Sequence, residues 1–302
     1  MNLKDKINFV LKELYKRKSL RYLIEIFSLS IFSTFKLTSL KLAVKEQGYE
    51  SIFPQLEKVT KNYLDHYNSV NIEGDYWNFK VKALHAFQVN FGLKAITFVK
   101  GELKKKKDEV TIVDIGDSSG NHLLYFKEIL KDINLKTVSV NLDKSAVNKI
   151  KSKGLEAIHC KAEDLIKHNI NPDIFFSFQT IEHLNSPITF FKSVADNTLC
   201  DYYLVTVPYL EKSRMGLEHI RGAFNNKIIA ENIHIFELNP SDWKLLFKHA
   251  GWEPIKEEIF FQYPKKHPLR LLKNNWAKYD FEGFYAVLLK KNRYWADKYL
   301  DW

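Results

Sequence analysis

The pattern of apolar and polar positions changes character at Val110. Before it, apolar residues recur at helical spacing: Ile7, Val10, Leu11 and Leu14 first, then Val81, Leu84, Phe87, Phe91, Ala95 and Phe98 as one stripe, the signature of helices burying one face. After it, short β-rich runs alternate with stretches long enough for a helix. The predicted strands are "VTIVDI", "KTVSVNL", "EAIHC", "DIFFSF" and "YYLVTVP", followed by "EIFFQY" and "FYAVLLK". Strands that alternate with crossover helices predict an α/β fold with a parallel sheet. "NPSDWKLLFKHAGW" predicts a late helix capped by Asn239 or Ser241 and closed at Gly251. The reading divides the chain into an N-terminal helical extension, residues 1–74, and an α/β domain, residues 75–302.

Composition narrows the setting. The chain has 302 residues, 45% of them hydrophobic, enough for one large core plus an accessory unit. Two cysteines, Cys160 and Cys200, show no CxxC spacing, so neither a disulfide framework nor a cysteine metal site is expected and the expected location is cytoplasmic. The start lacks the order of a signal peptide. Tyr22 to Phe35, the most lipid-like stretch, contains Glu25 and is too short to span a bilayer; no transmembrane segment is expected, which leaves room for peripheral membrane contact. The net charge of +10 is uneven: residues 1–110 hold 20 Lys and Arg against 12 Asp and Glu, the remainder 26 against 24. Such an excess suits an anionic partner or reflects a Lys-rich composition, and the run "KKKKDE" reads as a solvated connection.

The first strand runs into "VDIGDSSGNH", residues 113–122. In an open parallel sheet this strand-to-helix turn holds the ligand. A dinucleotide fingerprint would need glycines where Ser118 and Asn121 stand. Charge argues further against a diphosphate: Asp114 and Asp117 would repel it by roughly 1–4 kcal/mol per pair at about 4 Å. A ligand with ammonium and sulfonium groups would be attracted, and S-adenosylmethionine (SAM) carries both, together with a carboxylate that a helix N-terminus accepts.

On these segments, residues 110–291 resemble a class I SAM-dependent methyltransferase, of the kind with an "IEHL" segment after the fourth strand. The resemblance implies a Rossmann-like sheet, mostly parallel, with seven strands of which the last is antiparallel. It also implies that Asp114, Gly116, Asp117, Ser118, Ser119 and Gly120 surround the methionine part of SAM, with Ser118 where the family usually has Gly. At the end of the second strand, Asn141, Leu142 and Asp143 are the candidates beside the ribose. After the third, "CKAEDL" places Lys161 where an acid is common and leaves Ala162, Glu163 and Asp164 beside the adenine. Phe178 and Gln179 line the cofactor, and Glu182 and His183 stand near the transferred methyl group.

Methyl transfer is an in-line displacement helped by positioning, but a neutral hydroxyl acceptor also benefits from a general base or from a metal. The candidates are His183, His219 and His234, with Glu182 as an orienting group. Neighbouring Glu and His residues point apart on a regular element, so no metal is expected. Arg214 and Arg221 could grip a phosphate or carboxylate on the substrate; Tyr209, Trp77 and His85 could wall a sugar ring. The chain lacks the Asn/Asp-Pro-Pro-aromatic element of base-modifying amino methyltransferases, so nucleic acid is not the expected substrate class. The resemblance points to O-methylation of a sugar, glycan precursor or related small molecule, and a homo-oligomer is compatible with it. Two rival readings are an RNA methyltransferase using the basic N-terminal region and a methyltransferase-like scaffold without activity.

Overall fold

A computed structural model describes residues 18–65, 74–103, 109–215 and 234–301. The strands are β1 (Glu109–Ile115), β2 (Asn134–Asn141), β3 (Glu156–His159), β4 (Ile174–Phe178), β5 (Tyr202–Tyr209), β6 (Arg214–Met215), β7 (Phe236–Glu237), β8 (Trp252–Phe261) and β9 (Gly283–Lys291). Seven of them form one sheet in the order β3-β2-β1-β4-β5-β9-β8, and β6 pairs with β7 apart from it. β1 to β5 run parallel, whereas β9 is antiparallel to both its neighbours. Each predicted strand is present, and the final strand in sequence is the antiparallel one, as expected. β8 begins earlier than its apolar run suggested, because "WEPIKEE" lies on the sheet edge, where Pro254 costs no ladder hydrogen bond and the register shifts between Pro254 and Lys256.

Alternate residues of the strands enter two cores. Val110, Ile112, Ile174 and Phe176 face one side, and Val113, Ile115, Phe175 and Val205 the other. The second core is closed by α6 (Pro187–Asn197) and α7 (Pro240–His249). Asn239 caps α7, its side chain accepting from the Asp242 N–H, as the sequence suggested. The first core is closed by α4 (Asn121–Ile129), α5 (Lys144–Ser152), α3 (Asp75–Leu103) and the N-terminal helices α1 (Lys18–Glu46) and α2 (Phe53–Val59), with α8 (Lys273–Tyr279) beside them.

The N-terminal helices therefore share the core of the sheet. Leu40, Ala43 and Val44 of α1 and Leu56 of α2 are fully buried, Gln47 exchanges hydrogen bonds with the Phe261 backbone, and the Tyr49 hydroxyl donates to Glu258 at 2.6 Å. Position 74 marks a change in element content within one packed body. Arg21–Glu46 is long and apolar enough to cross a membrane by length and composition, and its first turns expose Tyr22, Leu23 and Phe27. Its second half is committed to the protein core.

Candidate functional site

The chain crosses over in opposite directions from β1 and β4, because β2 lies on one side of β1 and β4 on the other. Beyond the carboxyl ends of such neighbours lies the crevice where open α/β sheets bind ligands. Residues 114–120 leave β1 here and residues 179–183 leave β4, so the two stretches singled out in the sequence face one crevice.

Asp114 is 1% exposed, and its Oδ2 has no hydrogen-bond partner. Burial, with the charge of Asp117 adding to it, drives its carboxyl well above the ordinary carboxylate range. Asp117 is also buried, but its oxygens are spent within the turn. Oδ1 accepts from the N–H groups of Ser119 (3.1 Å) and Gly120 (2.7 Å), and Oδ2 from the Ser139 hydroxyl (2.6 Å). Burial raises its pKa although these donors oppose the rise. Asp117 thus holds the turn, and Asp114 carries the uncompensated carboxylate.

Both glycines are required by the fold itself. Gly116 has φ +88°, and a Cβ there would fall 2.1 Å from Thr180 Oγ1; Gly120 has φ +75°, and its Cβ would fall 2.7 Å from Leu155. Ser118 is half-buried, while Ser119 is buried and accepts from the Asn121 N–H through its hydroxyl.

At the end of β2, Asn141 ties the first two crossovers together. Its amide donates to the Asp117 carbonyl (2.9 Å) and accepts from the Asp143 N–H (2.7 Å). Leu142 is exposed. Asp143 caps α5, accepting from the backbone and hydroxyl of Ser145, and these bonds hold its carboxyl below the usual range. Ala162, Glu163 and Asp164 begin a 3-10 turn after β3; Glu163 is exposed, and Asp164 pairs with Lys167.

At the end of β4, Gln179 takes φ +55°. Phe178 stacks on His122, with ring centroids 4.4 Å apart. His122 donates to Gln88 Oε1 (2.8 Å), and the amides of Gln88 and Gln179 both donate to Thr206 Oγ1. This buried polar chain from α3 to β5 escaped the sequence reading. His85 lies beside it, fully buried, with Nδ1 hydrogen-bonded to the Tyr125 hydroxyl, so it forms no open wall.

Glu182 and His183 occupy a 3-10 turn (Ile181–His183) rather than a regular helix. The Ile235 N–H donates to the Glu182 carbonyl (2.8 Å) and brings His234 alongside. The His183 and His234 rings stand 4.7 Å apart, nearly perpendicular. Glu182 is 0% exposed and neither carboxylate oxygen has a hydrogen-bond partner; burial, with Glu237 adding to it, pushes its pKa up to about 8. Against the expectation that adjacent Glu and His diverge, Glu182, His183 and His234 each place one potential ligand atom within 4.8 Å of the others.

Glu237, missed in the sequence although it lies three residues beyond His234, faces His234 Nδ1 at 3.4 Å and accepts from Arg214 Nε. Burial works against its charge, but His234 and Arg214 outweigh it and hold the carboxyl below its ordinary value. Arg214 also donates to the carbonyls of Ala277 and Asp280, so its guanidinium is engaged within the protein. Phe281 stacks on His234 at 5.1 Å, and Lys80, paired with Asp280 at 2.6 Å, lies 5.7 Å from the Phe281 ring and 4.9 Å from that of Trp77. Trp77, His234 and Arg214 therefore belong to one patch. Tyr209 is half-buried against Phe261 at the end of β5. His219 and Arg221 lie outside the described residues.

No family model matches the chain. No curated protein matches it either. Among solved structures it is similar to the 1,6-didemethyltoxoflavin-N1-methyltransferase of Burkholderia thailandensis, at 12% identity over 82% of this chain and 90% of that one, with TM-score 0.49. It is similar to the [4+2]-cyclase SpnF at 12% identity over 82% and 96%, with TM-score 0.48. A third likeness, at 13% identity over 65% and 52% with TM-score 0.44, is to phosphoethanolamine N-methyltransferase 2 of Haemonchus contortus, solved with SAM. In the order and direction of its own seven strands, the chain has the Rossmann-like sheet of class I methyltransferases.

Proposed function

We propose that the protein is a SAM-dependent methyltransferase acting on a hydroxyl group of a small molecule of the sugar or glycan-precursor class. The observation that carries this reading is the buried carboxylate of Asp114, with its Oδ2 unpartnered, at the β1–β4 switch point. An isolated buried charge is costly, and a cationic ligand in this crevice would compensate it where a diphosphate would add repulsion. The turn at Gly116 to Gly120 would receive the amino-acid end of SAM, and Phe178 and Gln179 would border it.

When bound, SAM would supply an electrophilic methyl group for the acceptor oxygen. The chain must hold that oxygen in line and remove its proton. Glu182, His183 and His234 supply the titratable groups on the β4 side, and Trp77 and Phe281 supply aromatic surface beside them for the acceptor.

One observation favours the scaffold reading: the polar groups of Asp117, Asn141 and Asp143 are engaged in the protein's own hydrogen bonds. Incubation with isotopically labelled SAM, hydroxylated small-molecule extracts and RNA separates the possibilities. Label in a small hydroxylated product is expected. Label confined to RNA, or no transfer at all, overturns the proposal.

A further inference from the structure

The strongest unexplained feature is the group around Glu182. A carboxylate with no solvent exposure and two unpartnered oxygens is unfavourable unless it is protonated or a cation sits against it. Among the described residues, Lys80 and Arg214 of the adjoining patch are committed to Asp280 and Glu237. Among the described residues, the imidazoles of His183 and His234 are offered to Glu182, their nitrogens lying with a Glu182 oxygen inside a 4.8 Å span.

Two imidazoles and one carboxylate are a ligand set for a borderline divalent ion such as Zn²⁺, Co²⁺, Fe²⁺ or Mn²⁺, whereas Mg²⁺ and Ca²⁺ favour oxygen donors throughout. Bonds from such an ion to imidazole and carboxylate are about 2.0–2.2 Å long. His234 is prepared for this role. Its Nδ1 faces Glu237 at 3.4 Å, and a carboxylate on that side favours the Nδ1–H tautomer, which leaves Nε2 as the ligand atom. The Phe281 ring stacked at 5.1 Å holds the imidazole plane.

We propose that Glu182, His183 and His234 bind one divalent transition-metal ion, with Glu237 as the positioning residue for His234. Three protein ligands leave open positions for an acceptor hydroxyl. The binding claim stands by itself; what the ion does rests on the methyltransferase reading. In that reading the ion takes the place of a side-chain base: it would lower the pKa of the acceptor hydroxyl, whose proton would pass to water before the oxygen attacks the methyl carbon.

The test uses tag-free, chelator-stripped full-length protein titrated with Co²⁺, whose d–d absorption reports coordination without any turnover, and with SAM in parallel. One equivalent of Co²⁺ with a visible ligand-field band is expected. At least tenfold weaker binding is expected in Glu182→Gln, His183→Ala and His234→Ala, with Glu237→Gln intermediate and the remote His168→Ala unchanged. Far-UV circular dichroism identifies any variant that fails to fold, and the others then decide. No band at millimolar Co²⁺, or equal affinity in every folded ligand variant, overturns the proposal. SAM binding without Co²⁺ binding removes the metal site and leaves the cofactor reading intact, whereas Co²⁺ binding without SAM binding does the reverse.

Discussion

Asp114→Asn is expected to make the ligand-free protein more stable at neutral and alkaline pH while weakening its hold on a cationic cofactor. The wild-type carboxyl is 1% exposed, has an unpartnered oxygen and lies near a second buried acid. Its folded pKa is raised, so its contribution to stability is fully present below the unfolded carboxyl pKa and is lost as pH rises through the folded value. Each unit of that rise corresponds to about 1.4 kcal/mol, and leaving a buried polar atom unsatisfied costs about 1–3 kcal/mol. Asparagine keeps the shape and an unsatisfied amide but carries no charge. A net gain of about 1–2 kcal/mol at alkaline pH is expected on that basis, with each kcal/mol raising Tm by roughly 1–2 °C in a chain of 302 residues. Urea midpoints for both proteins, measured from mildly acidic to mildly alkaline pH, should show the advantage of the variant growing as pH rises. A variant less stable than wild type at alkaline pH, or a difference independent of pH, would refute the reasoning, since it would mean that the native carboxylate is already compensated within the protein.

Gly116→Ala is expected to destabilise the fold by about 1–3 kcal/mol, because the residue sits at φ +88° and its new Cβ meets Thr180 at 2.1 Å; urea denaturation should show partial relief in Gly116→Ala/Thr180→Ala, where the backbone strain alone remains. Lys80→Met should cost about 3–5 kcal/mol by leaving Asp280, 11% exposed, without its ammonium partner; the double variant Lys80→Met/Asp280→Asn should recover most of that loss by the same assay.

The sheet was legible because its strands are apolar runs between helical stretches, and the order of elements then constrains the topology. Other parts were hidden for physical reasons. The "DIGDSSG" stretch reads as two acids facing a ligand, yet an Asp followed by Ser-Ser-Gly is also a side chain able to cap its own turn, which Asp117 does. The inward commitment of Asn141 likewise depends on a carbonyl 24 residues away, which no local pattern reveals. Glu182 and His183 converge with His234 because a 3-10 turn replaces the regular element assumed for them and a distant strand brings the third residue. The N-terminal helices read as an extension because their period changes at the strand region, although long-range packing merges them with the sheet.

Calorimetric titration of SAM, its demethylated product and NAD into wild type and Asp114→Asn tests the central claim most directly. Micromolar binding of SAM, at least tenfold weaker binding in the variant (about 1.4 kcal/mol) and no binding of NAD are expected. Binding of NAD with SAM ignored, or SAM affinity unchanged by loss of the Asp114 charge, would contradict it.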